Sequence, residues 1–261
     1  MKQTRYIHGH HSSVLQAHAW RTAENSAAYL LPHLTDSTLL LDIGAGPGTI
    51  TDDLAGRVAR VVATEVDEAT LVRTREGVRR SNVDFVVADV HALDFPDDSF
   101  DVVHAHQVLQ HVADPVQAFR EMRRVCRPGG LIAARDVDYS AISIHPASPP
   151  LTEWLALYRR IARAAGGDPD AGPKLLGWAR QAGCSDITPS ASVWCFATPR
   201  DRAYWGGSWA DRVLNSRFAE QAAELGVLHE TLLAISDAWQ EWATDPDGWI
   251  TLTHGEVLAR A

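Results

Sequence analysis

The segment Leu39-Leu40-Leu41-Asp42-Ile43-Gly44-Ala45-Gly46-Pro47-Gly48-Thr49 constrains the fold more than any other stretch of the chain. An apolar run of buried-strand type ends in an acid, and glycines then occupy every second position, at 44, 46 and 48. Glycine tolerates φ > 0 and carries no Cβ, so such a strand-to-loop junction brings main-chain N–H groups against a nucleotide-like ligand. The spacing is G-x-G-x-G. The dinucleotide fingerprint G-x-G-x-x-G requires a glycine at 49, where this chain has Thr49. That departure points away from a nicotinamide dinucleotide.

Apolar strand runs alternate with helical patterns on either side of this loop. Strands are expected over 39–43, 60–65, 83–88, 100–105 and 131–136, with helices beginning at 50 and covering 68–81 and 115–126. Pro128-Gly129-Gly130 makes the turn into the fifth strand. Strands regularly separated by helices imply right-handed crossovers and a parallel sheet covered on both faces. Before the first strand, residues 22–34 carry a helical apolar stripe. After Asp138 the composition changes: residues 139–150, with Pro146, Pro149 and Pro150, read as a connector. Helix follows over 151–181, broken at Gly166-Gly167-Asp168-Pro169. A strand is expected at 187–197, helices over 200–245 and a closing strand at 249–258. The expected fold is therefore α/β, a doubly wound, mostly parallel seven-stranded sheet. Its divisions are an N-terminal helical arm or cap (1–38), a cofactor-binding core (39–138), a helical lid insertion after strand five (139–181) and a Trp-rich completion of the sheet (182–261).

A chain of 261 residues suffices for such a sheet and its core. Its net charge of −9 argues against nucleic acid as a partner. Cys126, Cys184 and Cys195 have no metal spacing and no disulfide framework, and no apolar run reaches 18 residues. A cytoplasmic protein without a membrane span is expected. His8, His10 and His11 have no nearby Cys, Asp or Glu to complete a metal site, so no metal is expected.

Chemistry-bearing residues recur at the carboxyl ends of successive strands, where open α/β sheets bind ligands. Glu65 ends strand two, 21 residues past Gly44; a carboxylate there accepts hydrogen bonds from both hydroxyls of a ribose. After strand three, Asp89 of Ala88-Asp89-Val90 is placed to accept from an adenine amine while the next main-chain N–H meets a ring nitrogen. After strand four stands Ala105-His106-Gln107.

The order Leu-Asp-Ile-Gly-Ala-Gly-Pro-Gly, Val-Val-Ala-Thr-Glu, Val-Ala-Asp-Val, Phe-Asp-Val-Val-His-Ala-His-Gln-Val-Leu-Gln-His and Arg-Val-Cys-Arg-Pro-Gly-Gly resembles the class I S-adenosylmethionine-dependent methyltransferases. Within that class it is most similar to the ubiquinone/menaquinone-biosynthesis and natural-product methyltransferases. The resemblance covers residues 38–138 and implies a Rossmann-like methyltransferase fold with S-adenosyl-L-methionine as cofactor. It implies that Gly44, Ala45 and Gly46 pass under the methionine part and that Asp42 orients that loop or the amino group. Glu65 would hold the ribose with Val66 against the adenine face, and Asp89 and Val90 would read the adenine edge. His106 and Gln107 would approach the sulfonium. The arm preceding strand one often folds over the cofactor in this class, which makes Tyr6, His10, His11 and Arg21 candidates, with Arg21 pairing with the methionine carboxylate.

The expected activity is methyl transfer to a small organic acceptor by in-line displacement at the sulfonium. Candidate bases are His111, His11 and Tyr139, beside His10 and Asp138; His111 also has the alternative of fixing its loop through hydrogen bonds. Trp154, Tyr158, Trp178, Trp205 and Trp209 serve either as lid core or as walls for an aromatic or apolar acceptor. Three other readings are open: a protein that binds the cofactor without transferring methyl, an NAD-dependent oxidoreductase, and a macromolecular acceptor, for which the negative charge disfavours RNA or DNA. The identity of the acceptor, the atom methylated (O, N or C) and assembly as a homodimer are open as well.

Overall fold

The computed structural model describes residues 20–261. Among these, seven strands form one sheet: β1 (Leu39–Ile43), β2 (Arg60–Glu65), β3 (Val83–Val87), β4 (Phe100–His106), β5 (Cys126–His145), β6 (Ser185–Phe196) and β7 (Trp249–Arg260). Their order is β3-β2-β1-β4-β5-β7-β6. β1 to β5 pair in parallel, and β7 runs antiparallel to both β5 and β6. The strand order reverses between β1 and β4, the point at which a doubly wound sheet opens a crevice at its carboxyl edge. The glycine loop and His106-Gln107 stand on either side of it.

The helices follow the apolar stripes. α1 (Ala23–Ser26) is capped by a box in which Thr22 and Asn25 bond each other's main chain. α2 (Thr49–Ala55), α3 (Glu68–Gly77) and α4 (Pro115–Val125) are the crossovers of the parallel half. α5 (Pro149–Ala164) and α6 (Leu175–Gln181) precede β6, while α7 (Pro199–Asn215), α8 (Arg217–Glu224) and α9 (His229–Thr244) precede β7. One apolar cluster joins Leu40, Val61, Ala63, Leu54, Ala23 and Leu30 on one face of the sheet. A second joins Val103, Ala105, Phe119, Met122, Leu175 and Ala179 on the other. The third unites α5, α7, α8 and α9 with the far ends of β5 to β7. At its centre the Trp154 ring meets Trp209 and Trp239 edge-on, with centroids 4.7 and 4.9 Å apart.

The fifth strand begins at Cys126, with an irregularity before Leu131, so Pro128-Gly129-Gly130 lies within β5 instead of preceding it. Three further expectations differ in detail. Residues 139–145 continue β5 instead of leaving the sheet: beyond an irregularity after Asp138, Ser143, Ile144 and His145 pair with Thr251, Ile250 and Trp249. Ladder pairing with β7 overrides the proline-rich composition that follows. The helix expected over 68–81 ends at Gly77, because the main-chain N–H groups of Arg79 and Arg80 turn to the Asp52 carboxylate. The stripe at 22–34 divides into α1 and a short 3-10 turn, Leu31–His33, whose second residue is Pro32.

Candidate active site

The loop after β1 is built to expose main chain. Gly44 and Gly46 adopt φ of +65° and +58°. A Cβ at Gly44 would lie 2.6 Å from Val108 Cγ2, whereas one at Gly46 would meet no atom within 4 Å. The first glycine is thus required by packing and the second by its left-handed backbone alone. Thr64 O accepts from the N–H groups of Gly44 and Ala45, at 2.9 and 3.1 Å. From the other side Thr74 Oγ1 donates to Gly46 O at 2.6 Å, and Gly77 lets α3 touch the loop: its Cβ would stand 1.8 Å from Pro47 O.

Glu65 reaches back over this loop, its Oε1 accepting from Gly46 N–H at 2.5 Å. Burial lifts its carboxyl pKa to about 7, against the pull of the Gly46 N–H, and the neighbouring Asp42 and Asp67 add to the rise. Asp42 is buried between β1 and α2: its two oxygens accept from Thr51 Oγ1 at 2.6 Å and pair with His104 Nδ1 at 2.8 Å. Its committed oxygens brace the strand tip that carries the glycine loop. Val66 is exposed, while Val90 is buried. Asp89 is exposed and turned toward His91, whose N–H and Nδ1 lie 2.9 and 2.7 Å from Oδ1. Glu65, Asp67 and Asp42 are thus gathered at one end of adjacent parallel strands, with Asp89 two residues beyond β3, which pairs with Glu65 through Val87. An adenosine-bearing cofactor fits these residues: uncovered left-handed main chain beneath it, and a buried carboxylate beside it.

Across the crevice the structure joins Arg21, His106 and Gln107. Gln107 holds φ +54°, an uncommon conformation for a side-chain-bearing residue, and is tied three ways. Its N–H donates to Arg135 O at 2.7 Å, its Oε1 accepts from Arg21 Nη2 at 2.8 Å, and its Nε2 lies 2.9 Å from His254 Nε2. His254 Nδ1 lies 3.1 Å from Leu252 O, and a carbonyl only accepts, so the proton sits on Nδ1 and Nε2 accepts from the Gln107 amide. The Arg21 guanidinium also stands over the Trp194 ring, 5.4 Å from its centroid. Burial first, then the charges of Arg135 and Arg21, hold His106 and His254 well below the usual imidazole range; both are neutral at pH 7.

Strand register extends this into a belt of buried polar side chains. Paired residues of adjacent strands project to the same face. Asp42 pairs with His104, His106 with Arg135, Arg135 with Glu256, and Glu256 and His254 with Ser190 and Ser192. The belt separates the apolar cluster under β1 and β2 from the aromatic cluster under β6 and β7. Trp20, Arg21, Asn25 and Tyr29 approach it, with Trp194 Nε1 donating to Asn25 O at 2.6 Å. Sequence reasoning passed over Tyr29, Arg135, Asp136, Trp194, His254 and Glu256. A signal existed: Arg135-Asp136 ends an otherwise apolar strand, and His254 and Glu256 fall in step with Ile250 and Leu252 on the buried face of β7.

The candidate bases separate. His111 closes a 3-10 turn after β4 that Asp136 holds by accepting from Leu109 and Gln110 N–H, at 3.3 and 3.1 Å. Burial, then the Arg21 charge, bring its pKa down to about 4. Tyr139 lies in the aromatic cluster, its ring stacked 4.0 Å from Tyr158. Burial raises its pKa. His11, His10 and Tyr6 lie outside the described residues. Trp154, Trp209 and Tyr158 are buried in the cap core, and Trp205 packs there too, stacked on Phe196 at 4.5 Å; Trp178 is only partly buried, against the opposite cluster.

Residues 41–134 match the methyltransferase domain family. An uncharacterized methyltransferase of Schizosaccharomyces pombe is 33% identical over 98% of this chain and 96% of its own length. The demethylmenaquinone methyltransferase of Roseiflexus castenholzii is 34% identical over 65% of this chain and 75% of its own. Among solved structures, phosphoethanolamine N-methyltransferase 2 of Haemonchus contortus, in complex with phosphomonomethylethanolamine and S-adenosylhomocysteine, shares the fold. Its TM-score is 0.55 with 17% identity, over 89% of this chain and 51% of that one. Among the described residues no helix is long and apolar enough to cross a membrane.

Proposed function

The chain belongs to the class I S-adenosylmethionine-dependent methyltransferases, and from that premise we propose that it methylates a small organic acceptor held between the tip of β4, the middle of β5 and β7 and the segment around Arg21. The observation that carries this reading is the contrast across the crevice. One wall is uncovered main chain with Glu65, suited to the cofactor; the other is a set of buried polar side chains around His106, tied together by Gln107, Arg21 and His254. The oxidoreductase alternative falls with the family assignment.

When bound, the cofactor supplies a methyl group already activated by its sulfonium. The chain has then to hold an acceptor atom in line with the S–CH₃ bond, about 3 Å away, and to keep water out. Gln107, fixed by Arg21, His254 and the Arg135 carbonyl, forms a rigid rim at the point where the two walls meet. Of the candidate bases His111 suits the role best. Burial brings its pKa down to about 4, so its imidazole is unprotonated at pH 7 and able to accept a proton. Tyr139 and the aromatic residues of α5 and α7 support an apolar end to the acceptor space, and the helices around Trp154 act as its lid. His11 and Tyr6 are proposed to complete it from the arm, and the protein to act in the cytoplasm.

The test is to incubate the protein with methyl-labelled S-adenosylmethionine and the low-mass fraction of a cell extract. Label recovered in a low-mass product is expected, and should be lost in Glu65→Ala. Label found only in macromolecules, or none transferred by folded protein, contradicts the proposal.

A further inference from the structure

Arg135 is completely buried, on the belt between β4 and β7. Only one edge of its guanidinium is used. Nε lies 3.1 Å from Glu256 Oε1 and 3.0 Å from Ser192 Oγ. Glu256 also accepts from Ser192 Oγ at 2.5 Å and Ser190 Oγ at 2.8 Å. Nη1 and Nη2 have no hydrogen bond among the described residues. The guanidinium stands over the Trp194 ring, its Cζ 4.7 Å from the centroid.

Two further orphans stand with it. Tyr29 Oη and both ring nitrogens of His106 are buried without a partner among the described residues, and the Arg135 charge acts on both side chains. Leaving buried N–H donors of a cation unpaired costs several times more than an ordinary lost hydrogen bond. Of the nearby carboxylates among the described residues only Glu256 bonds Arg135: Asp136 accepts from the Leu109 and Gln110 N–H groups and Asp42 from Thr51 Oγ1, beside its pairing with His104. A guanidinium presenting a parallel pair of N–H groups matches the two oxygens of a carboxylate.

We infer that Arg135 is the specificity residue of the acceptor site, taking a carboxylate of the acceptor on Nη1 and Nη2, with Tyr29 Oη donating to the same group and His106 lining the reacting end. This rests on the methyltransferase reading and names the acceptor class: a small organic acid.

Calorimetry in two stages tests it and separates the two claims. S-adenosylhomocysteine is titrated first. Its failure to bind overturns the methyltransferase reading and this inference together. The S-adenosylhomocysteine complex is then titrated with acetate, benzoate and 2-naphthoate, each beside its amide, so that size is sampled independently of charge. At least one acid should bind about tenfold more tightly than its amide, a preference that disappears in Arg135→Gln and is reduced in Arg135→Lys, which keeps the charge without the fork. Should Arg135→Gln not fold, Tyr29→Phe is expected to weaken the preferred acid about threefold to tenfold and leave its amide unchanged. Equal binding of acids and amides to the complex, or a preference that survives these substitutions, overturns the inference and leaves the cofactor site standing.

Discussion

The two walls of the crevice are built by different means. The β1–β3 side works through main chain: three glycines with positive φ, a carboxylate bonded to the Gly46 N–H, and a helix brought close by Gly77. The β4–β7 side works through side chains that meet only after folding, such as Arg135 with Glu256, 121 positions apart, and Gln107 with His254, 147 apart. A cofactor shared by many enzymes can be held by backbone geometry that short motifs encode. An acceptor particular to one enzyme needs side-chain chemistry, and buried polar side chains gather here on β4, β5 and β7.

The largest effect should come from the packing that supports the second wall. Trp154→Ala removes the indole on which Trp209 and Trp239 converge and should cost about 3–5 kcal/mol in urea unfolding. The protein that remains folded should still bind S-adenosylhomocysteine, because the glycine loop lies in a different cluster. Next, Glu65→Ala should lower S-adenosylhomocysteine affinity on the order of 100-fold in calorimetry while shifting stability little, since charged hydrogen bonds are worth about 1.5–3 kcal/mol each.

The raised pKa of Glu65 sharpens the contrast further. Ribose hydroxyls favour the ionised carboxylate, so binding should tighten about tenfold from pH 6 to pH 8 as a group with a pKa of about 7 ionises, and the slope should vanish in Glu65→Gln. The sign for the unliganded protein is opposite. Glu65 and Asp136, raised by burial to about 7 and about 8, bind protons more tightly folded than unfolded. Their contribution to stability is therefore present below the ordinary carboxyl range and lost as pH rises through about 8, which thermal unfolding across that range would register. The smallest effect belongs to Asp89→Ala. This residue is exposed and already bonded to His91, and its loss should weaken cofactor binding by about threefold to tenfold.

The same division decides what the sequence discloses. The places of Gly44, Gly46, Glu65 and Asp89 at the ends of β1 to β3 were legible, because strand period and glycine spacing fix them without tertiary knowledge. Five parallel strands, and the closing pair at 185–196 and 249–260, were legible for the same reason. Residues 139–145 were not, because their strand state depends on β7, over a hundred positions later. Arg135 was hidden by its surroundings: a charge at a strand end ordinarily marks the surface, and only the register with Glu256 turns it inward. Tyr29 and Trp194 offered no local signal at all, since what unites them with Arg135 is the face of a sheet, not a spacing.

The most direct test of the account is calorimetric titration of the folded wild-type protein with S-adenosylhomocysteine at pH 8, repeated on Glu65→Gln. One site per chain in the wild type, with affinity lowered about tenfold or more in the variant, is the predicted result. Absence of binding by the wild type, or equal binding by both proteins, would contradict the claim that the tips of the parallel strands form the cofactor site.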